Sequence, residues 1–477
     1  MSIPRIMIAA PKSGSGKTLI TCSLLWALKK MNMDVCAFKC GPDYIDPMFH
    51  REVIGIPSEN LDTFFTGESK TQDVFEDFSR DHDIAVIEGV MGLFDGVGGI
   101  SEIASSYHLA YVTDTPVILL VDAHGMGRSI IPLIEGMLSY DRKKLIKGII
   151  LNRISRSFYE VISKALIEDL AENEHDVKLL GYFEKRDELS VSGRHLGLKL
   201  PTEIEDIKDK LETGADYISK TVDIKEIISI AGSFVDNENY KKSDNYRTDL
   251  PDPDNSKAKK KEFTGKDICN FGITLAVARD EAFCFYYDAN IRMFKERGVS
   301  IKYFSPLHDK KLPRDADGIL LGGGYPELYA KELSNNKTML SSIKNAIKEG
   351  VPSLAECGGF MYLHRELEDD NGRTYALANV IDEKVTYTGK PVRFGYVELS
   401  DKENRFLSDG YKIKGHEFHY YDSTGNGTDV CAVKPLTGRS WDCCYVGENH
   451  WWGFPHLYYP SCPDFVDEFI KMMTKRK

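Results

Sequence analysis

The chain contains no run of about eighteen apolar residues, the length a helix needs to cross a bilayer, which argues against a membrane-spanning protein. Its ten cysteines include no paired C-x-x-C spacing, so the common zinc frameworks are missing as well. A charged region followed by an apolar leader is also lacking, since Arg5 to Ala10 reads directly as a strand. A cytoplasmic protein with reduced, mostly buried cysteines is the expectation. Positive charge is scarce too: Lys and Arg number 61 against 73 Asp and Glu, for a net charge of -12. That balance gives no general attraction to a phosphate backbone, and nucleic acid is not expected as a partner.

What is present is an ordinary globular composition, 42 % hydrophobic and 28 % charged, over 477 residues. That length exceeds what one core usually holds, so two domains are expected. In the first half, short β-rich runs alternate with helical patterns: Ile6 to Ala9, Asp34 to Phe38, Ile84 to Ile87, Val117 to Val121 and Ile146 to Leu151 read as buried strands. The alternation predicts a mostly parallel sheet covered by helices. From Asp236 the chain turns to Lys, Asp, Asn and Pro with almost no aliphatic residue, a composition that reads as a linker over 236–268. Beyond it Gly272 to Ala278, Ser300 to Phe304, Gly318 to Leu321 and Pro352 to Ala355 restart the α/β pattern. The expected division is therefore 1–235, linker, and 269–477.

The run AAPKSGSGKT, Ala9 to Thr18, stands between a strand and the helical pattern Thr18 to Lys30, the setting of a phosphate loop. Gly14, Ser15 and Gly16 let backbone N–H groups face phosphate oxygens, Lys17 offsets the β and γ charges, and the Thr18 hydroxyl can ligate Mg²⁺. Lys12, five residues before Lys17, is either an extra γ-phosphate contact or a solvated surface lysine. ATP and Mg²⁺ are the implied cofactors. Downstream strand ends carry acids, Asp43 and Asp46 in KCGPDYIDP, then Glu88 and Asp95 in IEGVMGLFDG. In an open parallel sheet these should converge on the loop and serve metal, substrate or both.

A second chemistry sits in PSLAECGGFMYL, where Cys357 follows an apolar strand and Gly358 and Gly359 permit a sharp turn into a helix. This is a nucleophile elbow with cysteine in place of serine. The helix dipole should bias the thiol toward thiolate, and a histidine would complete its activation. His456 in WWGFPHLYYP is the chosen base, with His416 and His419 of GHEFHYY as rivals. LGGGYPE, with Gly323 and Gly324, could present N–H groups to an oxyanion together with the amide of Gly358.

Together with RHLGL at Arg194 to Leu198, these motifs resemble the cobyrinic acid a,c-diamide synthase family over nearly the whole chain. The resemblance implies a P-loop synthetase domain followed by a class I glutamine amidotransferase domain, both α/β. It also implies ATP-driven phosphorylation of a tetrapyrrole carboxylate and its amidation by ammonia freed from L-glutamine at Cys357 with His456. By the same likeness Asp43, Asp46, Glu88 and Asp95 are catalytic, Thr18, Asp43 and Glu88 hold metal, Tyr44 and Ile45 contact substrate, and Asn152 serves the nucleotide base. The chain departs from the family around the histidine, reading GFPHLYY where SYLHLHF is usual. Position 458 is Tyr, where ordinary triad amidotransferases carry Glu, so a Cys/His pair without an acidic orienter is expected. Nickel sirohydrochlorin and hydrogenobyrinic acid are alternative acceptors, and a nucleotide-driven switch is the reading from another class. A homodimer is left open. Arg194, His195 and Arg393 are candidates for a basic substrate pocket.

Overall fold

A computed structural model describes residues 3–189, 193–194, 197–198, 204, 206–233 and 272–475. The chain divides into two compact units, 1–253 and 254–477. The expected linker, 236–268, lies outside the described residues, as does His195. Arg194, Gly197 and Leu198 fall in a two-strand ribbon, Gly193–Arg194 with Gly197–Leu198.

In the first unit seven strands form one sheet. They are β1 (Arg5–Ala9), β2 (Val35–Cys40), β3 (Ser58–Leu61), β4 (Ile84–Glu88), β5 (Val117–Asp122), β6 (Ile146–Asn152) and β7 (Lys178–Phe183), in the order β3-β2-β4-β1-β5-β6-β7. Every pairing is parallel. A parallel sheet covered on both faces needs strands apolar on both sides, and β1 and β4 accordingly bury every residue. The chain runs outward from β1 through β2 to β3, returns to β4, and crosses to β5. The loop after β1 therefore opens at the point where the winding reverses, where ligands of such sheets bind. Helix α1 (Lys17–Lys30) follows that loop directly.

The second unit is built on a six-stranded sheet. In spatial order its strands are Ser300–Phe304, Thr274–Ala278, Gly318–Leu321, Ser353–Glu356, His450–Gly453 and Tyr445–Gly447. All are parallel except the last. Beside it lies an antiparallel sheet that includes Arg393–Asp401, Ile413–His419 and His456–Leu457. The strand Ile413–His419 alternates buried and half-buried residues, the period-two signature of a strand with one inward face. In the first unit two strands escape a reading by apolar runs, β3 and β7. β3 reads SENL, polar yet buried throughout, and β7 is half-exposed at an edge.

Candidate active sites

At the end of β1 the chain turns through Gly14 (φ 73°) and Gly16 (φ 88°) into α1. Gly16 admits no side chain, because a β-carbon there would lie 2.7 Å from Nδ2 of Asn152. That amide donates to the carbonyl of Ser15 at 2.7 Å, and its Oδ1 accepts from the N–H of Arg153 at 2.9 Å. Both ends of Asn152 are thus engaged in bracing the loop. Ser15 Oγ closes the loop on Lys12 O at 3.0 Å. Lys17 is buried and donates to Met91 O at 2.6 Å; burial and the Lys39 charge bring its pKa down to about 8. Lys12 is 69 % exposed, with Nζ 3.8 Å from Asp122.

The four acids do not occupy equivalent places. Thr18 Oγ donates to Glu88 Oε1 at 2.8 Å and lies 3.2 Å from Asp46 Oδ2, so these two carboxylates meet the end of the loop. Asp43 turns its Oδ1 to the N–H groups of Ile45 and Asp46 at 2.9 and 3.1 Å, shaping the turn in which Tyr44 and the buried Ile45 stand. Asp95 accepts from Gly92 N–H at 2.9 Å, on the segment beside Pro11. A hydroxyl and two carboxylates are hard oxygen donors of the kind Mg²⁺ takes. Among the described residues no larger metal-ligating cluster occurs. An ion here would therefore fill its shell from phosphate and water, which suits Mg²⁺ bound with a nucleotide.

Lys39 ties the acids together. Its Nζ stands 2.5 Å from Asp46, 3.1 Å from Glu88 and 4.0 Å from Asp43, with the side chain 3 % exposed. Burial works against this ammonium, and the Asp46, Glu88 and Asp43 charges outweigh it, leaving its pKa well above the ordinary value. Burial likewise opposes the Glu88 charge, but Lys39 and His50 overrule it and hold the carboxyl below its usual range. His50 is wholly buried, with Nε2 3.2 Å from Glu88 and Nδ1 3.0 Å from Ser58 Oγ. It belongs to a π-helical segment, Phe49–Ile54, a geometry frequent at functional sites.

In the second unit Cys357 joins the strand Ser353–Glu356 to the short helix Gly358–Leu363 with φ 46° and ψ -103°. Such a conformation is strained for a residue with a β-carbon. Gly359 has no room for one, since it would overlap Leu321 O. A β-carbon at Gly358 would lie 3.1 Å from Gly324 N, and one at Gly323 would overlap the His456 ring. The glycine turn is thus flanked by the Cys357 elbow and by His456. Hydrogen bonds reinforce this: Cys357 N–H donates to Gly453 O at 2.9 Å, and the Glu356 carboxylate accepts from Leu457 N–H at 3.2 Å and Tyr459 OH at 2.7 Å. His419 instead bonds Tyr421 O and stacks on Phe454, while His416 pairs across strands with His456.

The expected thiolate is not supported. Burial pushes the Cys357 thiol up, the Glu327 charge adds to this, and the Gly358 N–H opposes it only in part. Desolvation of a cysteine only 7 % exposed outweighs the dipole of a six-residue helix. Burial also lowers His456 to about 3, followed by the charge of His419, so its imidazole is neutral near pH 7.

Residues 6–197 match the CobQ/CobB/MinD/ParA nucleotide binding domain, and residues 274–453 match the CobB/CobQ-like glutamine amidotransferase domain. The cobyrinate a,c-diamide synthase of Fusobacterium nucleatum is 38 % identical over 97 % of this chain and 99 % of its own. That of Caldanaerobacter subterraneus is 36 % identical over 97 % of each. The chain belongs to the cobyrinate a,c-diamide synthase family. A further member, from Clostridium tetani, is 35 % identical over 98 % of this chain and 99 % of its own. Within this family member, Lys39, His50 and Arg153 also stand at the first site, although the motifs gave none of the three a role. Arg153 bridges Asp122 at 3.1 Å and Gly14 O at 2.6 Å. The signal for Lys39 was available: a lysine inside VCAFKC, an otherwise apolar strand that buries every residue.

Proposed function

We propose that this chain amidates the a and c carboxylates of cobyrinic acid, with ATP activating each carboxylate and glutamine supplying the nitrogen. In this reading residues 1–235 are the synthetase, 269–477 the glutaminase, and 236–268 their linker. A substrate carboxylate attacks the γ-phosphorus, ADP leaves, and the acyl phosphate is then attacked by ammonia with loss of phosphate. Lys17 offsets charge at the phosphates, and Lys39 fixes the Asp46 and Glu88 carboxylates facing Thr18. Thr18, Glu88 and Asp46 would hold Mg²⁺, with Asp43 behind them; the ion supplies charge neutralisation to the transferring phosphoryl group. Tyr44, Ile45 and Asp95 would line the carboxylate's approach, with Lys12 and Asn152 at the nucleotide.

At the other site Sγ of Cys357 attacks the glutamine carboxamide carbon while His456 accepts the thiol proton and delivers it to the departing ammonia. Amides of Gly323, Gly324 and Gly358 receive the oxyanion. Water then releases glutamate from the thioester. A neutral thiol facing a neutral imidazole is a poor resting nucleophile, which supports a glutaminase that stays slow until the synthetase site is loaded. ATP and glutamine are cytoplasmic metabolites, and this reading puts the enzyme there.

The observation that carries the proposal is the strained Cys357 elbow beside the glycine turn, on a chain whose other unit gathers acids at a phosphate loop. Offering cobyrinic acid, hydrogenobyrinic acid and nickel sirohydrochlorin side by side, with amides counted by mass, tests it. Two amides on cobyrinic acid are expected. Preference for another ring would move the acceptor, and ATP turnover independent of glutamine and of any polycarboxylate would replace the ligase with a switch.

A further inference from the structure

Beyond the residues given a task above, one group in the second unit stands apart. Glu417 is 0 % exposed, and neither of its carboxylate oxygens has a hydrogen-bond partner among the described residues. The same holds for Nε2 of His419, which is 3 % exposed and 3.8 Å from Glu417 Oε2. Nε of Arg393 lies 3.9 Å from the same oxygen, beyond hydrogen-bond reach. Arg393 is also drawn elsewhere, 4.0 Å from Asp422 and over the Trp441 ring. Buried polar atoms without partners are rare in native proteins and normally mark the place of a water, an ion or a ligand.

The chemistry of the three atoms narrows the occupant. Nδ1 of His419 is 2.6 Å from Tyr421 O. A carbonyl only accepts, so Nδ1 carries the hydrogen. The two oxygens of a carboxylate only accept, and a buried one calls for a cation that also donates; water offers two hydrogens and no charge, whereas an ammonium group offers positive charge and three or four N–H donors.

The pair adjoins the nucleophile. Cys357 N–H bonds Gly453 O, and the next residue, Phe454, stacks on His419 with ring centroids 4.0 Å apart and planes at 7°. Cys357 is itself only 7 % exposed, and the Glu417 charge acts on its thiol. The inward parity of the strand Ile413–His419 turns Glu417 and His419 to the same face.

We propose that Glu417 and His419 form a buried site for an ammonium group beside the Cys357 elbow, a reading that rests on the glutaminase assignment above. Two such groups arise in that reaction, the α-ammonium of glutamine and the ammonium formed when the ammonia released from its side chain takes up a proton from water. Full-length wild type and Glu417→Gln are assayed with L-glutamine and with glutaramate, the analogue lacking the α-amino group, and amide formed per carboxamide hydrolysed is recorded. If the pocket takes the α-ammonium, wild type prefers glutamine in kcat/KM, and Glu417→Gln narrows that preference at least tenfold with coupling unchanged. If it takes released ammonium, the preference persists while glutamate outruns amide at least twofold. A folded Glu417→Gln with neither change assigns the space to water or packing and overturns the proposal. Should that variant fail to fold, His419→Gln reads the same two ratios. Cys357→Ala is run in parallel: glutamine-dependent amidation surviving there would sink the glutaminase assignment itself, whichever way Glu417 behaves.

Discussion

Replacing Lys39 by Met removes one cation from among three acids, and the structure indicates how severe that is. Nζ is 2.5 Å from Asp46 and 3.1 Å from Glu88, and donates to Gly89 O at 3.2 Å. Glu88 is 0 % and Asp46 9 % exposed, so water cannot compensate either. Unit charges about 3 Å apart attract by on the order of 5 kcal/mol at an effective dielectric near 20. Met fills the space without a desolvation cost of its own, and breaking a buried pair typically costs about 3–5 kcal/mol. We expect Lys39→Met to destabilise the first unit by that amount. Glu88→Gln in the Lys39→Met background should restore at least about 1.5 kcal/mol, because Glu88 is the carboxylate that Lys39 and His50 keep ionised, whereas burial and the Asp43 and Glu88 charges push the Asp46 carboxyl up. Hydrogen exchange read by mass spectrometry on peptides covering Val35–Cys40 and Ile84–Glu88 reports this unit separately from the other. A loss under about 1 kcal/mol for Lys39→Met, or strict additivity in the double variant, would refute Lys39 as the cation that holds these acids.

Cys357→Ala should abolish glutamine-dependent amidation while ammonia-dependent amidation survives, and loss of both would disprove the division of labour between the units. Lys17→Ala should remove amidation from either nitrogen source, since phosphate charge must be offset in both; mass analysis of the tetrapyrrole checks each. Gly323→Ala drives a β-carbon into the His456 ring, and a displacement of that size should cost about 100-fold in glutaminase turnover, read as glutamate release. Burial raises the Glu356 carboxyl from 4.5 to about 7, despite bonds from Tyr459 and Leu457 that favour its charge. A raised folded-state pKa means the contribution is intact below pH 4.5 and lost as pH rises through 7, at most about 3 kcal/mol. Glu356→Gln should therefore melt higher relative to wild type at pH 8 than at pH 5, and an equal difference at both would remove this assignment.

Much of the first unit is legible because its parallel strands are covered on both faces and so appear as continuous apolar runs. β1, β4, β5 and β6 stand within one residue of their expected ends, and the phosphate loop falls between a strand and a helix as its motif requires. β3 was not legible for a physical reason. Its buried Glu59 and Asn60 are accommodated through hydrogen bonds, with Asn60 Nδ2 donating to Gly41 O at 3.0 Å and Asp43 O at 2.7 Å. A hydropathy pattern carries no trace of partners supplied from another loop. The same limit applies at Cys357: the elbow follows from local spacing, but the proton affinity of the sulfur depends on what covers it. A dipole inferred from chain position has the wrong weight once desolvation is included.

Charged residues inside buried strands were the signal that spacing rules pass over. Lys39 interrupts VCAFKC, and no strand buried at every residue retains a lysine unless acids meet it; Asp46 and Glu88 do. In IKGHEFH the parity is explicit. Ile413 and Gly415 belong inside, so Glu417 and His419, two and four residues beyond Gly415, must face inward as well. Lys39 is met by acids, whereas among the described residues the Glu417 oxygens and Nε2 of His419 have no hydrogen-bond partner, although the burial cost is of the same kind. A strand whose period turns a carboxylate and an imidazole inward, with no hydrogen-bond partner for them among the described residues, is on our proposal one that receives that partner as an ammonium group.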